Sequence, residues 1–87
     1  KSSSWLLTNG IHKIGRLNDK EIILDDVTVS RNHAYISVDD DELLIIDEGS
    51  TNGIFVNGEI TKESQLYSGT RIQIGKYFLI ISSVDES

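Results

Sequence analysis

The chain of 87 residues contains no cysteine, no proline and no methionine, and a single tryptophan. Without cysteine there is no disulfide framework, no thiolate nucleophile and no zinc site of the usual thiolate kind, which fits a reducing, cytoplasmic (intracellular) setting. Without proline the turns must rest on Gly, Asn and Asp. No apolar run approaches the ~18–20 residues of a membrane-spanning helix, and no signal-peptide pattern is present. Positive charge is also scarce: 8 Lys and Arg stand against 14 Asp and Glu, a net charge of −6. That balance speaks against a general binder of nucleic acid or of anionic membrane, since it provides neither a basic stripe nor long-range attraction. It leaves room for one local anion site, because two arginines dominate the field within a Debye length of about 8–10 Å.

Helical periodicity is missing too, and what replaces it is strand patterning. Ala34, Ile36 and Val38 alternate onto one face of His33-Ala34-Tyr35-Ile36-Ser37-Val38, and Ile72 and Ile74 do the same in Arg71-Ile72-Gln73-Ile74. The continuous runs Leu43-Leu44-Ile45-Ile46 and Tyr77-Phe78-Leu79-Ile80-Ile81 read as central strands covered on both faces. Turn signals fall between these segments at Asn9-Gly10, Asp39-Asp40-Asp41, Asn52-Gly53, Asn57-Gly58 and Ser68-Gly69. Both Asn52-Gly53 and Asn57-Gly58 are expected to supply positive-φ positions, bracketing a very short strand at Ile54-Phe55-Val56. Many short strands with regular turns mean a β-sandwich or barrel. One domain is expected over residues 1–87, with a core from about 5 to 82. Ser2-Ser3-Ser4 and Asp85-Glu86-Ser87 read as frayed ends. A start at Lys1 reads as a domain excised from a longer protein.

A chain this small buries only roughly 60–65% of its unfolded surface, so function is expected on surface loops rather than in a deep cavity. Three polar clusters sit at strand ends: Gly15-Arg16, Ser30-Arg31-Asn32-His33 and Ser50-Thr51-Asn52-Gly53. Together they hold two guanidinium groups, three hydroxyls, two amides and two glycines, with no obvious nucleophile. This inventory suits an oxyanion carried on a peptide better than a reaction. His33 beside Ser30, with Asp47 to orient it, has the residue types of a triad, but neither an oxyanion hole nor a substrate pocket accompanies them. His33 reads instead as a buried imidazole tying neighbouring loops. His12 reads as a surface strand residue and Trp5 as an edge or core packing residue. The acidic run Asp39-Asp40-Asp41-Glu42 lacks the spaced ligands and central glycine of a calcium loop and reads as a solvated hairpin tip. Neither a metal nor a cofactor is implied.

In order and spacing, Ile14-Gly15-Arg16, Val29-Ser30-Arg31-Asn32-His33-Ala34, Gly49-Ser50-Thr51-Asn52-Gly53 and Val56-Asn57-Gly58 resemble the forkhead-associated (FHA) domain, over nearly the whole chain from about Leu6 to Ile81. The stretch Leu24-Asp25-Asp26-Val27-Thr28-Val29-Ser30-Arg31 looks like small bacterial members linked to Ser/Thr kinases. The resemblance implies an all-β antiparallel sandwich of two twisted sheets, about eleven short strands, that binds phosphothreonine peptides through loops at one end and is not an enzyme. It implies that Arg16 and Ser30 contact the phosphate with Arg31 and Thr51 beside it, and that Asn52 bonds the peptide backbone. Gly15, His33, Gly53, Asn57 and Gly58 fall on positions that shape the loops. Ile54 stands where Thr is common, and Thr70 where Asp usually follows the late glycine. The implied partner is a threonine-phosphorylated protein or peptide, in trans or within the same parent protein, with a Ser/Thr kinase upstream. Thr28, Asn32 and the Leu17-Asn18-Asp19-Lys20 loop are candidates for reading the residues that flank the phosphothreonine. Two other classes stand beside this one: an adaptor using the same surface without phosphorylation, and a small enzyme using Ser30 or the acidic run.

Overall fold

The computed structural model describes residues 3–82. Ser2 and Asp85-Glu86-Ser87, read above as frayed ends, lie outside the described residues. Nine strands follow in order: β1 (Gly10–Gly15), β2 (Ile22–Ile23), β3 (Ala34–Asp39), β4 (Glu42–Asp47), β5 (Ile54–Val56), β6 (Glu59–Thr61), β7 (Glu63–Leu66), β8 (Arg71–Ile74) and β9 (Tyr77–Ile80). No helix occurs among the described residues, so none there is long and apolar enough to cross a membrane. A five-stranded sheet runs β2-β1-β3-β4-β7 and a four-stranded sheet runs β6-β5-β8-β9. Every pairing is antiparallel except β1 with β2, where Ile14 faces Ile22 and Gly15 faces Ile23 in parallel register. That parallel pair departs from the uniform antiparallel expectation. It arises because the chain crosses over from Gly15 through residues 16–21 before returning alongside β1.

The two sheets meet over an aliphatic core. Ile14, Ala34, Ile36 and Ile45 point inward from one sheet, and Ile54, Ile72 and Ile74 from the other, all nearly or fully buried. The alternation read in β3 and β8 is therefore the sandwich interior. Ile54 belongs to this core, where a threonine would bring a hydroxyl in need of a partner. Thr70 is also buried, and its Oγ1 accepts a hydrogen bond from the Tyr67 N–H at 3.0 Å, closing the late turn without a carboxylate.

Several expectations are corrected. β4 does run between β3 and β7, but only Ile45 is fully buried in it; Leu43, Leu44 and Ile46 are half-buried. β9 is an edge strand rather than a central one, with Phe78 77% and Ile80 63% exposed while Tyr77 and Leu79 turn toward the core. Trp5 lies outside every strand and is 38% exposed, so it is neither an edge-strand nor a core residue. His12 is half-buried in β1 and donates from Nε2 to the Thr8 carbonyl at 2.6 Å. The acidic run is the β3–β4 hairpin tip: Asp39 pairs with Glu42, Asp40 takes φ 54°, and the Asn9 amide holds Asp40 through its N–H and its carboxylate. At Asn57-Gly58 both residues are left-handed, φ 51° and 87°, and Asn57 Oδ1 accepts from the Arg71 N–H at 2.9 Å. In the other pair only Gly53 is, at φ 78°; the Asn52 backbone is not, because its turn is closed by side chains.

Candidate functional site

The loops after β1, before β3 and between β4 and β5 converge. Arg16 leaves the end of β1 with its N–H on the Ser30 carbonyl at 3.1 Å, and its Nε–H on the Val29 carbonyl at 3.0 Å. One edge of a planar guanidinium is thereby fixed, and its two terminal amino groups have no bond among the described residues. Arg31, next along, is exposed. Gly15 is what lets these two loops touch, because a Cβ there would overlap the Arg31 carbonyl oxygen and press on Lys20 Cε at 3.2 Å. The Lys20 side chain is only 7% exposed and its ammonium lies 3.2 Å from Asp19 Oδ1.

Ser30 joins the second loop to the third. Its Oγ accepts the Thr51 N–H at 3.0 Å, which leaves the hydroxyl proton free to be donated outward. Its N–H goes to His33 Nδ1 at 3.0 Å, and His33 Nε2 donates to the Gly53 carbonyl at 2.8 Å. His33 is completely buried. Because Nδ1 accepts, the ring is the neutral Nε2–H tautomer, spanning the two loops as a strut. Both nitrogens are occupied and neither bonds Ser30 Oγ, so the triad geometry is not formed. Nor do three or more metal-ligating side chains gather among the described residues.

Thr51 and Asn52 are exposed on the third loop. Asn52 Nδ2 donates to the Thr28 carbonyl at 3.1 Å, so its nitrogen is used within the fold and its Oδ1 remains as an acceptor. Asn57 and Gly58 are not part of this cluster. They form the β5–β6 turn at the far end of β5, about 10 Å away along three extended residues.

Two residues organise these loops in ways the sequence did not show: Asp47, named there only as a possible partner of His33, and Thr28, named only as a candidate reader of flanking residues. The Asp47 carboxylate accepts from the N–H groups of Gly49 at 3.1 Å and Ser50 at 3.2 Å, and from the Ser50 hydroxyl. Ser50 Oγ in turn accepts the Gly53 N–H at 2.9 Å. Thr28 is a second hub. Its hydroxyl donates to Asp26 Oδ2 at 2.6 Å and accepts the Lys76 N–H at 2.9 Å, while Asp26 Oδ1 lies 3.2 Å from Lys76 Nζ. The signal available for both was an Asp followed two or three residues later by a hydroxyl residue, the signature of a side-chain-closed turn.

The Thr28 hydroxyl and N–H, with Lys76 beyond them, hold the Asp26 carboxyl down from 3.8 to about 2. The bonds favour the ionised form in the folded state, so their contribution to stability is present above about pH 4 and is lost as pH falls toward 2. Urea midpoints of wild type and Asp26→Asn are accordingly expected to differ by a constant amount from pH 5 to 7. They should converge near pH 2; a gap that stays constant to pH 2 would contradict this coupling.

The family model of the FHA domain matches residues 12–75. Glycogen accumulation regulator GarA of Mycobacterium tuberculosis is 44% identical over 78 residues, 90% of this chain and 48% of the relative. The oxoglutarate dehydrogenase inhibitor of Corynebacterium jeikeium is 45% identical over 78 residues, 90% of this chain and 54% of the relative. This chain thus spans about half the length of these curated relatives. A solved structure from a structural and functional analysis of phosphothreonine-dependent FHA domain interactions superposes with a TM-score of 0.89 at 35% identity, covering 94% of this chain and 85% of the other. The motif order, the two-sheet sandwich and these matches agree, and the protein belongs to the FHA domain family.

Proposed function

We propose that this chain is a binding module for threonine-phosphorylated peptides in Ser/Thr-kinase signalling, and that it acts in the cytoplasm as a regulator rather than as an enzyme. The observation that carries the reading is the convergence of the Arg16 guanidinium, oriented through Nε, with the Ser30 hydroxyl, whose oxygen is already filled by the Thr51 N–H. A phosphomonoester near pH 7 bears about −1.5 to −2 charges on strong acceptor oxygens. The fixed guanidinium offers it two parallel donors, the Ser30 hydroxyl adds a third, and Arg31 can swing in from solvent. Asn52 Oδ1 is left to accept an N–H from the peptide backbone. Thr51 lines the approach beside it.

Hydrogen bonds to charged groups are worth roughly 1.5–3 kcal/mol each, and much of the sum is offset by ordering a flexible peptide. Affinity near micromolar, about −8 kcal/mol, is the expected balance. The relatives named as a regulator and as an enzyme inhibitor support a non-catalytic role, with a partner protein or a phosphorylated segment of the same parent protein as ligand. Fluorescence polarisation with matched phosphothreonine, phosphoserine and unphosphorylated peptides tests the reading. Phosphothreonine is expected to bind roughly tenfold or more tighter than phosphoserine, the worth of one well-placed methyl. Equal binding of the unphosphorylated peptide would overturn it in favour of a phosphorylation-independent adaptor.

A further inference from the structure

Both arms of the candidate site lean on one turn. Residues 26–29 close through the Val29 N–H on the Asp26 carbonyl at 3.0 Å and the Thr28 N–H on Asp26 Oδ2 at 2.9 Å. Val29 is buried and seats the turn on the core. Two successive carbonyls of this turn then hold the site: that of Val29 accepts from Arg16 Nε, and that of Thr28 accepts from Asn52 Nδ2. We infer that the β8–β9 turn, Gly75-Lys76, sets the affinity of the phosphopeptide site from outside it, by fixing Thr28 and, through the Thr28 carbonyl, the amide of Asn52; the inference rests on the phosphopeptide reading above.

Thr28 is gripped from a hairpin 48 positions further along the chain: its Oγ1 accepts the Lys76 N–H at 2.9 Å. The same hydroxyl gives its one proton to Asp26 Oδ2 at 2.6 Å, so it has no donor left for a ligand. Lys76 Nζ lies 3.2 Å from Asp26 Oδ1, and backbone and side chain of one lysine thereby close on Thr28 and on its carboxylate partner together. Gly75 permits the approach. It has φ 58°, and a Cβ there would overlap Thr28 Oγ1 and stand 2.8 Å from the Thr28 carbonyl oxygen, the atom that holds Asn52. A shift of the β8–β9 turn therefore reaches Asn52 through a single residue. Because the carboxamide is planar, its Nδ2 bond to Thr28 also fixes where Oδ1 lies, and Oδ1 is the acceptor left for a peptide N–H. An amide released from Thr28 would have to be ordered on binding and would contribute less. The phosphate arm is insulated from this route: Arg16 is held by the Val29 and Ser30 carbonyls, and Val29 keeps its own bond to Asp26 and its place in the core.

The test is a double-mutant cycle read by fluorescence polarisation with one phosphothreonine peptide, each affinity scaled to the folded fraction from the variant's unfolding curve. Thr28→Val keeps the shape, removes the hydroxyl and is expected to weaken binding roughly threefold to tenfold, the range of coupling within one hydrogen-bond network. Thr28→Ser restores the hydroxyl and should recover wild-type affinity to within about twofold. In an Asn52→Ala background the Thr28→Val loss should disappear, because the group it acts through is gone. Gly75→Ala, which presses on Thr28 from the other hairpin, should behave as Thr28→Val does and carries the same cycle if that variant does not fold. A loss of equal size with and without Asn52 would overturn the inference, since Thr28 would then act on the peptide by another route. Wild-type affinity in Thr28→Val, or a serine variant as weak as the valine one, would overturn it as well, and each of these results leaves phosphothreonine binding in place. Failure of the wild type to bind the peptide would instead overturn the phosphopeptide reading and this inference with it.

Discussion

Arg16→Ala is expected to weaken phosphothreonine-peptide binding by roughly a hundredfold, taking a micromolar ligand to about 100 μM. Two parallel charge-assisted bonds from one guanidinium carry about 3 kcal/mol after desolvation, which is about that factor. The effect should exceed that of Arg31→Ala, because Arg31 is exposed and must be ordered on binding, whereas Arg16 is half-buried and tethered through Nε to Val29. Arg16→Lys separates charge from geometry. Lysine keeps the positive charge but has neither the fork nor an Nε–H for the Val29 carbonyl, so it should recover only part of the loss. Folding serves as the control. Arg16 contributes one charge-assisted, half-buried tether at the end of a strand, so the unfolding free energy should fall by about 1.5–3 kcal/mol at most. Calorimetric titration of wild type, Arg16→Lys and Arg16→Ala, beside their unfolding curves, decides it. Wild-type affinity in Arg16→Ala would remove the phosphate from this surface.

The legibility of the molecule follows a physical division. β3 and β8 could be read because one face of each is buried, and Ala34, Ile36, Val38, Ile72 and Ile74 record that burial as alternation. β5 could be read because turns bracket it and Ile54 sits in the core. β6 and β7 could not, since Glu59–Thr61 and Glu63–Leu66 bury little beyond Leu66 and owe their form to backbone pairing with β5 and β4. β9 was misplaced for the opposite reason. A run of five apolar residues states hydrophobicity but not position, and Phe78 and Ile80 point to solvent from an edge. Side-chain type marked the three polar clusters, and the family resemblance singled out Arg16, Ser30, Arg31, Thr51 and Asn52 within them. Neither could show that Asp47 and Thr28 shape the loops around them, because those roles depend on where backbone N–H groups point. The same holds for Asn52, whose amide nitrogen bonds Thr28.

His33 is where fold and site become inseparable, and His33→Ala is expected to be the most destabilising single truncation at this end of the sandwich. The imidazole is fully buried and spends both nitrogens on backbone, Ser30 N–H on one side and the Gly53 carbonyl on the other. Alanine leaves that donor and that acceptor without a partner in a place water cannot easily reach, at about 1–3 kcal/mol each, and leaves the ring's volume empty as well. A total near 3–5 kcal/mol is expected. A chain of 87 residues has roughly 4–13 kcal/mol to lose, so the variant should retain a folded state only with a small margin. Its thermal midpoint should fall by at least about 12 °C. Ser30→Ala provides the contrast. It removes the hydroxyl proposed to meet the phosphate, which accepts the Thr51 N–H, yet keeps the N–H that meets His33. That variant should lose most peptide affinity for little stability, whereas His33→Ala should lose both, because the Ser30 and Gly53 loops part when the strut between them is gone. Thermal and urea unfolding of the two variants measures the difference. A loss below about 1 kcal/mol in His33→Ala, within the range of one ordinary hydrogen bond, would mean that the loops hold their places without the imidazole.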